Sequence, residues 1–210
     1  FSAAASYGTM VPFLIREAKP LIRMARAADV PALLDIYRPF IETTAYTFEY
    51  DVPTAAEFAA RFNSITRFFP WLVFEEDDGA VTGYAYADRA FARAAYQWDA
   101  DLSIYLAPRA QGRGIGRQFY EILEDLLRRQ GFFLAYGIVT SANAPSCAFH
   151  EALGYQAAAR FEQCGYKFGR WYGTIWYEKR LLPGDPAEAP IPFQALTGLP
   201  DHWERRTSKW

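Results

Sequence analysis

Gly112, Gly114 and Gly116 alternate with Arg113 and Ile115 in the stretch "APRAQGRGIGRQF" (residues 107–119), and Arg109 and Arg117 flank them. A strand-forming run precedes this stretch and a helical pattern follows it. A helix opening on such a turn leaves its first backbone N–H groups unpaired and aimed one way, where the helix dipole also favours an anion. Glycines lack the Cβ atoms that would keep an anion off the backbone, and the arginines add charge. The chemistry on offer is the holding of a phosphate or pyrophosphate, although the same residues also read as a surface turn without a ligand. Two common phosphate loops are excluded. No G-x-x-x-x-G-K-[ST] is present, and the third glycine falls one residue early for G-x-G-x-x-G, with no acidic ribose partner after a second strand.

The bulk properties send the same question back to this turn. A formal net charge of -2 gives no general attraction to nucleic acid or an anionic membrane, so any anion must be caught locally. Hydrophobic residues make up 51% of the 210, enough for one well-cored soluble domain. No apolar run approaches the roughly 20 residues of a membrane helix. Cys147, Cys164, His150 and His202 show no metal-ligand spacing, so no metal is expected. Both thiols read as reduced small hydrophobes in a cytoplasmic protein. Residues 1–20 lack the order of charge, apolar stretch and cleavage site of a secretory leader, and read as an arm or an expression remnant.

The elements that must position the turn follow from periodicity. "LIRMARAADVPALLDIYRPFI" predicts a strand and then a helix, with Asp29 as cap and Pro31 in the first turn. Thr54 caps a second helix, "TAAEFAARFNSITRF". "WLVFEE-DDGA-VTGYAYADRA" predicts a hairpin turning on Asp-Gly. A strand from Tyr96 to Ala107 leads into the glycine turn, and Ile115, Phe119, Ile122, Leu123, Leu126 and Leu127 give a helix ending at Gly131. "FFLAYGIV" predicts a buried strand, "APSCAFHEALG" a short helix, and "YQAAARFEQ" and "RWYGTIWYEKRL" two closing strands. Prolines at 183, 186, 190, 192 and 200 argue against a compact unit beyond Leu182 and predict an extended tail on the surface or on a partner subunit.

With these elements in place the sequence resembles a known family. Gln111-Gly112-Arg113-Gly114-Ile115-Gly116 is similar to the Q/R-x-x-G-x-G/A pyrophosphate loop of GNAT N-acetyltransferases. "FIETTAYTFEY" (40–50), "FPWLV" (69–73), "AYQW" (95–98), "IYLAPRAQ" (104–111), "HEALGY" (150–155) and "GYKFGRW" (165–171) resemble segments of the phosphinothricin and methionine sulfone or sulfoximine acetyltransferases, in order. The resemblance covers about residues 21–181. It implies an α+β, α/β/α layered GNAT fold: a twisted, mixed, mostly antiparallel sheet with a splayed central parallel pair, flanked by helices.

The resemblance also implies the site. Acetyl-coenzyme A would lie along backbone groups of Ile104, Tyr105 and Leu106, with its pyrophosphate on Gln111, Gly112, Arg113, Gly114, Ile115, Gly116 and Arg117, and with Asn143 and Ser146 facing it. Asp101 stands at the position of the carboxylate that takes the amine's proton through a water, where the relatives carry glutamate; by itself it also reads as a strand-edge charge. His150 matches the histidine that assists proton transfer at sulfur, and by itself also reads as structural. Phe91, Ala92, Arg93, Tyr96, Leu102 and Ser103 would bind the acceptor, Arg93 as a fork for a carboxylate, under a lid made by residues 40–50. Arg89 and Ala90 replace the relatives' Pro-Trp pair, so the pocket is expected to differ. The acceptor implied is a small-molecule amine, on an amino acid or analogue, with a homodimer as the assembly. The alternatives are another amine as acceptor, or a sensor that binds acyl-CoA without turnover.

Overall fold

The structure is a computed structural model that describes residues 19–185 and 188–204; residues 1–18 of the expected arm lie outside the described residues. Strand β1 (Leu21–Met24) leads to helices α1 (Val30–Thr43) and α2 (Ala55–Ile65), then to the hairpin β2 (Trp71–Glu75) and β3 (Val81–Arg89). After β4 (Asp99–Leu106) come α3 (Ile115–Gln130), β5 (Leu134–Thr140), α4 (Ala144–Ala152), β6 (Gln156–Lys167) and β7 (Arg170–Arg180). A short β8 (His202–Glu204) is the last described strand. They form one sheet in the order β6-β7-β5-β4-β3-β2-β1-β8, antiparallel except for β4 and β5.

Alternation along the strands assigns the two faces. Trp71, Tyr84 and Tyr105 point to one side, where Tyr37 of α1 meets Tyr105 at 4.6 Å and Phe62 of α2 meets Trp71 at 5.2 Å between ring centroids. Ala85, Leu102, Ala135 and Val139 point to the other side, against Phe119, Leu123 and Leu127 of α3. The result is a sheet between two helical layers. The buried Glu124 on α3 holds Lys179 of β7 at 2.8 Å and Arg128 at 2.9 Å, which fixes the helix over β5 and β7.

The expected parallel pair is present, and it splays. Pairing of β4 with β5 runs only from Asp99–Leu134 to Asp101–Tyr136, whereas β4 continues beside β3 as far as Leu106 and β5 continues beside β7 as far as Thr140. Beyond Asp101 the two strands face each other across a gap. Two local expectations change. Asp29 does sit before α1, but its carboxylate accepts from Arg23 at 2.7 and 2.8 Å and from the Arg26 N–H at 2.7 Å instead of capping the helix. Among its described residues the proline-rich tail is extended over the surface, and His202–Glu204 add β8 to β1 as an eighth strand. Thr54 caps α2 as its sequence requires, in a capping box with Glu57.

Candidate active site

The gap between β4 and β5 holds a cavity of ≈ 80 Å³ lined by Ser103, Ile104 and Tyr105 on one side and Ile138, Val139 and Thr140 on the other. Tyr120 and His150 also line it, and Phe40, Tyr46, Asn143 and Ser146 connect it to a groove of ≈ 530 Å³. That groove runs over Ile104 and Leu106 to Gln111, Gly112, Gly114, Ile115, Gly116 and Arg117, so the glycine turn and the gap form one continuous path.

The turn is built as its glycines require. Gly112 and Gly114 have φ of +69° and +73°, a left-handed conformation that side chains with a Cβ resist, and Gly114 is the N-cap of α3. Gly116 is set by close approach instead: a Cβ there would lie 3.2 Å from Phe149 and 3.3 Å from Ile104. The Arg113 guanidinium pairs with Glu76 on the β2–β3 hairpin at 2.6 and 3.0 Å, so its charge steadies the loop from behind. Asn143 caps α4 by accepting from the Ser146 N–H at 3.2 Å.

The acetyltransferase (GNAT) domain family matches residues 22–176. The chain belongs to the GNAT acetyltransferase family. It is 36% identical over 172 residues to the phosphinothricin N-acetyltransferase of Streptomyces viridochromogenes, which covers 81% of this chain and 93% of that relative. It is 33% identical to the L-methionine sulfoximine/L-methionine sulfone acetyltransferase of Pseudomonas aeruginosa, over 77% of this chain and 95% of the relative. The crystal structure of a phosphinothricin acetyltransferase from Sinorhizobium meliloti in complex with AcCoA superposes with a TM-score of 0.78 at 34% identity, covering 83% of this chain and 97% of that one. The protein is an acetyl-CoA-dependent N-acetyltransferase.

The residues of this acetyltransferase fit acetyl-CoA. Among the described residues the β4 edge from Leu102 to Leu106 has no strand beside it on the gap side, and Thr140 Oγ1, in the lining of the gap, is buried without a hydrogen-bond partner. The glycine turn at the end of the path presents the N–H groups at the start of a long helix.

Asp101 sits where β4 and β5 part. Its Oδ1 is buried and has no hydrogen-bond partner among the described residues, although the residue as a whole is half-buried. Loss of water around the carboxyl, reinforced by the charge of Asp88, pushes its pKa up to about 7, against the Leu102 N–H that pulls it down. A carboxylate with that proton affinity suits a base working near neutral pH.

His150 is buried in the floor of the gap, where its Nδ1–H donates to the Ser146 carbonyl at 2.8 Å. That bond leaves Nε2 as the acceptor for the Tyr120 hydroxyl at 3.0 Å. Burial lowers the pKa of His150 and raises that of Tyr120, so the histidine is held neutral and the tyrosine protonated. Tyr120 was not legible as a site residue, because on α3 it reads as one more core position. The floor is tight: a Cβ at Gly137 would fall 2.3 Å from His150 Nε2. Gly137→Ala is therefore expected to displace the ring, break its bond to Tyr120 and cost about 1–3 kcal/mol of stability, read as a lowered melting temperature.

The flank of the site over Tyr136 of β5 is aromatic. Phe91 packs on Tyr96 at 4.7 Å, Tyr136 at 5.6 Å and Trp176 at 5.8 Å between centroids. Tyr136 and Trp176 come from β5 and β7 and were not evident from sequence, since cross-strand register alone brings them to this side. Ser103 pairs with Tyr86 across β4 and β3, whereas the Leu102 side chain turns into the core beneath α3. Ala92 and Arg93 are exposed on the loop before β4. The 44–50 segment is pinned from both sides: Lys167 Nζ donates to the Thr47 carbonyl at 2.9 Å, Tyr37 bonds Thr47 at 2.9 Å and Glu49 at 3.0 Å, and Tyr50 donates to the Tyr166 carbonyl.

Proposed function

We propose that the acetyltransferase acts on the α-amine of a small amino acid or analogue, and that Asp101 is the base that accepts the amine's proton. The observation that carries this reading is the Asp101 carboxyl at the head of the gap, whose Oδ1 is buried with no hydrogen-bond partner among the described residues. Bound acetyl-CoA supplies the acetyl group as a thioester, held by the 102–106 edge, Asn143, Ser146 and the N–H groups from Gly112 to Arg117. Asp101 stands on the acceptor side, within the reach of a hydrogen bond or one water. Tyr120 remains protonated, with its O–H given to Nε2 of neutral His150, so the two form an uncharged polar floor whose tyrosine oxygen lines the gap. Arg93 supplies the fork for the acceptor's carboxylate, with Phe91, Ala92, Tyr96 and Ser103 around it. The activities named for the relatives make phosphinothricin, methionine sulfone and methionine sulfoximine the acceptors to try first.

A thiol-release assay with acetyl-CoA against these three and a panel of other amines tests the reading. Turnover of one or more of the three is expected. Silence on the whole panel, in protein shown to bind acetyl-CoA, would overturn it.

The assembly in this reading is a homodimer in the cytoplasm that binds neither nucleic acid nor membrane. Phe161, Tyr166, Phe168 and Trp171 leave about half of each side chain exposed on the β6–β7 hairpin, an aromatic patch of the kind a second copy covers. Light scattering is expected to give twice the chain mass, and Trp171→Asp to lower it toward one.

A further inference from the structure

The carboxylate opposite the base belongs to no family motif identified in the sequence. In the antiparallel pairing of β3 with β4, Asp88 is the direct partner of Asp101. Directly paired residues project to the same face with Cβ atoms about 4.5–5.5 Å apart, and like charges placed so are unfavourable. Neither carboxylate has an ion-pair partner among the described residues. Among the described residues Asp88 Oδ1 accepts from the N–H of Arg89, at 2.7 Å, while Asp101 Oδ1 is buried and has no donor. A buried oxygen facing a second carboxylate lacks a donor or a proton, and an incoming ammonium brings both.

The groups that face the pair do not neutralise it. From β3 comes Tyr86 and from β5 Tyr136, while Tyr120 of α3 lines the gap from the other side of the sheet, all three with pKa values raised by burial. Ser103, two residues along β4, is the cross-strand partner of Tyr86. Arg61 of α2 acts on Asp88 from a distance, but its guanidinium is bound to Glu49 at 2.7 Å, and Arg89 is exposed.

We propose that Asp88 is a positioning residue that works through Asp101: the two form one acidic pair on the acceptor side of the gap, and the pair receives the acceptor's proton. The inference rests on the reading of Asp101 as the base. In the step, an N–H bond of the ammonium breaks and its electrons remain on nitrogen as the lone pair. An O–H bond forms on Asp101, and the charge of the pair falls from -2 to -1. The second carboxylate gives the shortened base a higher proton affinity and draws the acceptor in as its ammonium. Burial of both carboxyls, which raises the pKa of each, is in keeping with this.

The test follows the carboxyl ¹³C resonance of Asp101 with pH in the free wild-type protein, in Asp88→Asn and in Asp88→Glu, beside the pH profile of kcat/KM. In wild type and Asp88→Glu, Asp101 is expected to titrate near 7, in the two coupled steps of an interacting pair. In Asp88→Asn it is expected to titrate in one step, lower by about one pH unit, with the acid limb of kcat/KM moving the same way and KM for the amine rising. Asp88→Ser carries the same reading if the amide variant does not fold. An unchanged Asp101 titration in the neutral variants overturns the proposal. Because the resonance needs no turnover, a shifted titration in a protein silent toward every amine supports the acidic pair while overturning the acceptor reading.

Discussion

Asp101→Asn is expected to lose turnover by about 10²–10⁴-fold while binding acetyl-CoA as the wild type does. The two effects separate because the proposed cofactor contacts lie along residues 102–106 and the glycine turn, whereas Asp101 lies at the other end of the gap, where β4 and β5 still pair. Asparagine keeps the shape and removes the proton acceptor. The pH profile gives a second reading of the same group. With its pKa pushed up to about 7 by burial and by Asp88, the carboxyl is protonated below that pH and cannot accept a proton. The rate at low acceptor concentration is therefore expected to climb as pH rises through about 7 and then level. An acid limb near 4, the ordinary carboxylate value, would mean that the base is solvated and that burial in the free protein does not persist in the working state. Asp101→Glu is the informative companion: a carboxylate one methylene longer reaches further toward the acceptor but is less well enclosed. A retained rate with an acid limb at lower pH is expected of it.

The elements that hold this site were legible where the signal is local. Alternating glycines with a helical pattern behind them place the anion turn, an Asp-Gly pair between apolar runs places the β2–β3 hairpin, and Thr54 with Glu57 three residues later places the start of α2. The splayed pair and the roles of Asp101 and the gap residues came from the family's motifs, since no periodicity distinguishes a strand that loses its neighbour halfway. What escaped depends on register between distant segments. Tyr120 on α3 meets His150 on α4 only because both pack on the same side of β5, and Asp88 meets Asp101 only because β3 and β4 pair in one register and not the next. The tail strand β8 escaped for a related reason. Three residues among prolines carry no strand signal, and the edge of β1 supplies the partner.

The same burial that tunes Asp101 should weaken the fold above neutral pH. In the unfolded chain its carboxyl loses its proton near 3.8, while in the folded protein it keeps it to about 7. Between those values the folded state binds more protons than the unfolded one, so this group's contribution is complete below about 4 and is lost as pH rises to 7. The loss amounts to about 4 kcal/mol at most, since each pH unit of difference corresponds to about 1.4 kcal/mol, and water reaching the half-buried residue reduces it. Asp101→Asn removes the titration and keeps a side chain of similar volume. Urea unfolding of the free protein is therefore expected to give similar stabilities for the two forms near pH 4, and at pH 8 an advantage of a few kcal/mol for the inactive variant. Equal stabilities at both pH values would show that the carboxyl is not desolvated in the folded state. The expected divergence would show that the unpartnered oxygen is held at a cost to stability, in the place where the proposed acceptor amine would supply a donor.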